Sequence, residues 1–101
     1  MTVLVSCPDK KTADAVSKAL LEKRLAACTS VMPGVRSRYW WKGKLESADE
    51  VLLLAKTTAD RYPAVEKAVR KAHPYELPEI IALPVAKGYR PYLEWIRKET
   101  R

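Results

Sequence analysis

The densest chemistry in the chain lies in His73-Pro74-Tyr75-Glu76-Leu77-Pro78-Glu79, which holds the sole histidine, a phenol and two carboxylates within seven residues. An imidazole beside carboxylates can ligate a divalent ion or pass protons. His73 with Glu76 and Glu79 is therefore a candidate metal-ligand set. One histidine plus carboxylates is a sparse set for a single chain, but a symmetric oligomer can bring copies of it together. The competing reading is structural: His73 ends the preceding helix, where the dipole favours an imidazolium, and the two prolines steer the chain. An acid–base enzyme built on His73 and Glu79 finds no activated nucleophile or positioned partner, so the chain reads as non-catalytic.

A second group is Tyr39-Trp40-Trp41. Consecutive strand residues point to opposite faces, so both tryptophans cannot enter one protomer's core. An exposed aromatic cluster of this kind marks an association surface or, alternatively, a stacking platform for a ligand. Arg36, Arg38, Lys42 and Lys44 form a basic cluster beside it. The whole chain carries +7, from 19 Lys and Arg against 12 Asp and Glu. That balance admits an anionic partner, but the bases are otherwise dispersed, as solubility alone would leave them. Cys7 and Cys28 are the only cysteines. Their spacing matches no zinc pattern, and without a secretory signal they read as free thiols.

These groups need elements to hold them. The segment from Ala27 to Thr58 reads as two strands around a tight turn at Lys42-Gly43-Lys44. Val35, Ser37, Tyr39 and Trp41 alternate with Arg36, Arg38, Trp40 and Lys42, the period of two that marks a strand. The return arm, Glu50-Val51-Leu52-Leu53-Leu54-Ala55-Lys56, is apolar at nearly every position, as in a strand covered on both faces. Each arm runs to roughly 14 residues against a typical strand of about 5–6. That makes about 45 Å of ribbon, more than either long helix can cover. Pro33-Gly34 predicts a bulge or bend in the outgoing arm.

Before the ribbon, Thr2–Ser6 is a short apolar strand, and Asp9 caps a helix running from Lys10 to about Arg24. Its apolar face is Ala13, Val16, Ala19 and Leu20. After the ribbon, the Thr57–Asp60 segment offers caps for a second helix, with Pro63 tolerable in its first turn. Val65, Ala68, Val69 and Ala72 form its stripe. His73-Pro74 stops it, since a residue before proline avoids the α region. Glu79–Leu83 is a further strand, Lys87-Gly88 a turn, and Pro91 opens a last helix with Tyr92, Leu93 and Ile96 on one side.

The order β-α-β-β-α-β plus a C-terminal helix predicts an α+β, ferredoxin-like fold, one domain over residues 1–101. An RNA-recognition module on this fold needs aromatics on its central strands, where this chain has aliphatics and no phenylalanine. A soft-metal chaperone would want C-x-x-C after the first strand, but Cys7 is followed by Pro8, Asp9 and Lys10. Gly34, Gly43 and Gly88 lie too far apart for a phosphate loop. No run approaches the roughly 18 apolar residues of a membrane span. Met1-Thr2-Val3-Leu4-Val5 enters a strand without a leader pattern, which predicts a cytoplasmic protein.

At this point a family resemblance appears. Ala26-Ala27-Cys28-Thr29-Ser30-Val31-Met32-Pro33-Gly34-Val35, Tyr39-Trp40-Trp41-Lys42-Gly43-Lys44 and Leu54-Ala55-Lys56-Thr57-Thr58 resemble the CutA divalent-cation-tolerance family. His73 through Pro84 and Tyr92-Leu93-Glu94-Trp95-Ile96 continue the likeness over the whole chain. The resemblance implies a homotrimer shaped like the PII signalling proteins, its long hairpins pairing across subunits with Trp40 and Trp41 in the interface. It also implies a part in tolerance to divalent metals, copper above all, with Cu²⁺ or a similar ion bound without catalysis. His73, Glu76 and Glu79 are then the expected ligands, with Cys7 a further one, although the family's first-strand cysteine aligns near Val5. Tyr39, Lys56 and Tyr75 are the expected lining of an intersubunit pocket. The alternative is a PII-like regulator holding a small anion in such clefts through Lys56, Arg36 or Arg38. No nucleic acid or membrane partner is expected.

Overall fold

The computed structural model describes all of residues 1–101. Its elements are β1 (Thr2–Cys7), α1 (Lys10–Glu22), β2 (Cys28–Trp41), β3 (Lys44–Lys56), α2 (Tyr62–Ala72), β4 (Ile80–Leu83) and α3 (Arg90–Glu99). The four strands form one antiparallel sheet in the order β2-β3-β1-β4. This is the expected α+β, ferredoxin-like arrangement with an added C-terminal helix.

α1 starts where Asp9 accepts a hydrogen bond from the Thr12 amide at 2.8 Å, the cap read from its position. Ala13, Val16 and Leu20 turn inward. They meet Val3, Val5, Leu53 and Ala55 of the sheet and Val65 and Val69 of α2 in one core cluster. The second helix begins differently from expectation. A single 3-10 turn, Ala59–Arg61, precedes it, and no side chain caps α2. Thr57 is instead fully buried, its hydroxyl donating to the Leu25 carbonyl at 2.6 Å. A buried hydroxyl needs such a partner, and the tertiary contact takes the side chain that a local cap would have used.

The hairpin is as long as its pattern predicts, at 14 and 13 residues. The register slips between Met32 and Val35, where Gly34 has φ +78°. Beyond that bulge the ribbon leaves the layered body. Trp40 and Leu45 face each other across the strands at 73% and 63% exposure.

α1 and α2 cover one face of the sheet. The other face carries rows set by register: Leu4 with Leu54 and Ile81, Met32 with Leu52 and Ser6, and Leu83 with Thr2. Ile81 and Leu83 remain about half exposed, at 47% and 49%, and Met32 is exposed as well. α3 reaches the margin of this face, where the Tyr92 hydroxyl lies 3.5 Å from Cys28 Sγ.

Candidate functional site

The site is assembled where the segment after α2 crosses the end of β1. Pro74 forces His73 into extended backbone, φ −93° and ψ 135°, so α2 stops there, its last amide bond running from His73 to the Val69 carbonyl. The His73 ring does not cap the helix. It is 7% exposed, and its Nε2 lies 2.7 Å from the Ser6 carbonyl of β1. Its Nδ1 accepts from the Tyr75 amide at 3.2 Å. Because Nδ1 accepts, the ring proton resides on Nε2 and is donated to Ser6. His73 thus pins the segment to the sheet.

That pin sets Tyr75 in place, its ring 4.8 Å from the imidazole, centroid to centroid. The Tyr75 hydroxyl donates to Glu50 Oε2 at 3.0 Å. Burial and then this hydrogen bond raise the Tyr75 phenol to about 12. Glu50 is 6% exposed. It pairs with Val35 just past the bulge, where the hairpin leaves the sheet. None of the structure's four ion pairs includes it.

Between the hairpin and the 75–79 segment lies an open groove of about 730 Å³. Tyr39, Trp40, Trp41 and Tyr75 supply aromatic wall, Glu50, Glu76 and Glu79 the acids, and Arg38 a base. The volume falls in the usual range of about 300–1,000 Å³ for small-molecule sites.

Of the predicted pocket residues, Tyr39 and Tyr75 line this groove and Lys56 does not. Lys56 pairs with Thr2 and Cys28 at the opposite end of β3, six residues on from Glu50. Arg36, another expected anion contact, faces Asp49 at 3.4 Å.

The predicted metal set is not brought together within the protomer. Glu76 and Glu79 share the groove wall, but both ring nitrogens of His73 are spent on backbone groups. Cys7 is fully buried in the core, and burial, reinforced by the Asp9 and Glu50 charges, pushes its thiol up to about 11. A neutral thiol is a poor ligand. No three His, Cys, Asp or Glu side chains converge to hold an ion. The residue missed in the sequence is Glu50. Its signal was a carboxylate opening an otherwise apolar run, in phase with Leu52 and Leu54.

A ferredoxin-like protomer with an overlong hairpin and a groove at the hairpin's base is the class that fold and site define. Residues 1–99 match the family model described as CutA1 divalent ion tolerance protein. The divalent-cation tolerance protein CutA of Thermus thermophilus is 46% identical over 98 residues, covering 97% of this chain and 95% of that protein. The human protein CutA is 49% identical over 96 residues, covering 95% of this chain, which spans only 54% of the human protein's length. Among solved structures, the divalent cation tolerance protein of Thermus thermophilus superposes with a TM-score of 0.96 at 45% identity over 100% of both chains. CutA of Xylella fastidiosa gives 0.95 at 41% identity, covering 99% of this chain and 96% of that one. The chain belongs to the CutA divalent-cation-tolerance family.

Proposed function

We propose that this protein serves divalent-cation tolerance as a non-catalytic homotrimer in the cytoplasm, taking up Cu²⁺ or a similar ion at carboxylates on its surface. The observation that carries the reading is the uncovered apolar face of the sheet. Leu4, Leu52, Leu54, Ile81, Leu83 and Met32 form a contiguous aliphatic surface that neither α1 nor α2 covers. Patches of this kind are rare on monomers. A second and a third copy suit it because the same chain also presents the exposed Trp40 and Leu45 on a hairpin that projects past its own body. Cys7 and Cys28 are free thiols, in keeping with a reducing compartment.

For the ion, a ready-made centre on His73 and Cys7 does not fit the geometry. Glu76 and Glu79 are exposed, border the groove and belong to none of the four ion pairs. They are the donors that remain available, and a trimer multiplies them threefold. Among the first-row divalent ions, the Irving–Williams order gives Cu²⁺ the highest affinity for such donors.

Two measurements on the intact protein test the reading. Light scattering should return three times the 11.4 kDa chain mass, and a monomer at micromolar concentration would refute the trimer. In calorimetry, Cu²⁺ affinity should fall at least tenfold for the Glu76→Gln, Glu79→Gln double variant and persist for His73→Gln. The reverse pattern would return the ion to the imidazole.

A further inference from the structure

We propose that His73 is an acid-operated latch: protonating its ring releases Tyr75 from the base of the hairpin and frees the segment that follows. Every bond of the latch lies inside one chain, so the device does not depend on what the copies build between them.

The geometry is a relay of three hydrogen bonds. His73 Nε2 donates to the Ser6 carbonyl at 2.7 Å, and Nδ1 accepts from the Tyr75 amide at 3.2 Å. The Tyr75 hydroxyl then donates to Glu50 Oε2 at 3.0 Å. Glu50 faces Val35 in the first pair beyond the bulge. The relay thus runs from β1, through the segment after α2, to the point where the hairpin leaves the sheet.

The imidazole is the one link whose role an added proton reverses. A neutral ring accepts at Nδ1, whereas an imidazolium donates from both nitrogens. A proton on Nδ1 meets the Tyr75 N–H, donor against donor. The ring is only 7% exposed, so water has little access to replace the lost partner. The Ser6 bond survives, because Nε2 carries its proton in either state. The break therefore falls on the side of Tyr75, the residue that reaches Glu50. Tyr75 through Glu79 also form one wall of the groove, so opening the latch unmakes that wall wherever the copies place it.

The ionisable groups around the ring are Cys7 on β1, Asp9 past its end, Glu50 on β3 and Tyr75 on its own segment. α1 and α2 turn Ala13, Val16, Leu20, Val65, Ala68 and Val69 inward, none of them ionisable. Arg70 and Lys71, in the last turn of α2, are exposed. Burial pushes the Tyr75 phenol up to about 12 and the Cys7 thiol up to about 11, and the Thr12 amide holds the Asp9 carboxyl below its usual range. These three groups keep their charge between about pH 8 and pH 5, the window in which histidine ordinarily titrates. The sign follows from the bonds: the latch is closed with a neutral ring and opens as pH falls.

The test is an NMR titration of the ¹³C,¹⁵N-labelled full-length protein from about pH 8 to pH 5. The imidazole nitrogens report the charge of the ring, and the amides of Tyr75, Glu50 and Val35 report the relay. The Tyr75 amide should shift in step with the imidazole. Its exchange protection, corrected for the intrinsic pH dependence of exchange, should fall at least about tenfold relative to Val5 and Leu53, as the loss of a buried hydrogen bond requires. In His73→Gln the step at Tyr75 should vanish. Tyr75→Phe keeps the amide bond to the ring and loses the hydroxyl, so residue 75 should still follow the imidazole while Glu50 and Val35 no longer do. Should His73→Gln fail to fold, the wild-type and Tyr75→Phe titrations decide alone. A ring that charges with the Tyr75 amide unmoved, or one that stays neutral across the window, would overturn the proposal. So would a step that persists in His73→Gln, which would belong to Glu50, or hairpin amides that still respond in Tyr75→Phe.

Discussion

His73 shows how a residue's chemistry is spent by its neighbours. As a type in a sequence it offers a ligand, a base or a helix cap. In the fold it is a bolt between the end of α2 and β1, donating to Ser6 and accepting from Tyr75. Replacing it leaves a buried carbonyl without its donor, at a cost of about 1–3 kcal/mol. His73→Gln should accordingly lower the free energy of unfolding by that amount in denaturant titrations. An unchanged midpoint would mean that the ring is held only loosely and is free for a ligand. Glu50 and Tyr75 make the complementary case. They are 25 positions apart in sequence and meet only because the 73–75 segment is pinned across the sheet.

Among the elements, the hairpin was the most legible, because strand alternation and turn chemistry are local. Its bulge was legible too, since Pro33-Gly34 cannot continue a ladder. Gly34 takes φ +78° with open space where a Cβ would stand. Gly34→Ala should therefore cost only the left-handed backbone penalty, about 1–2 kcal/mol, read as a lowered thermal midpoint with the strand content of the far-ultraviolet spectrum unchanged. A larger loss, or loss of strand signal, would show that the bulge tolerates no side chain for reasons beyond its torsion angles. The start of α2 was less legible. Thr57 and Thr58 look like caps by type, yet Thr57 is recruited by Leu25, 32 residues earlier, a contact that no local pattern encodes.

On the scale of the whole molecule, the features left unsatisfied in one chain are the informative ones. The sheet's second face and the aromatic end of the ribbon are apolar surfaces that the protomer does not bury. If Trp41 lies in the interface of the proposed trimer, as the family resemblance implies, Trp41→Lys places a charge in a desolvated seam. Such a variant should scatter as smaller particles and unfold at a lower temperature. Particles of wild-type mass and stability would assign those rings to ligand binding alone.

The sequence by itself determined the element order, the ferredoxin-like class, the length of the hairpin and the family, because these rest on short-range periodicity and on motifs contiguous in the chain. It also nominated Tyr39, Tyr75, Glu76 and Glu79, which do share one groove. The tertiary structure decided which nominated groups remain available. Cys7 went to the core, Lys56 to the far end of β3, and both nitrogens of His73 to backbone partners. It also brought in Glu50, which no motif marked. Availability is set by burial and by hydrogen bonds between residues distant in sequence, so it comes into being only when the sheet and the segment after α2 are packed together.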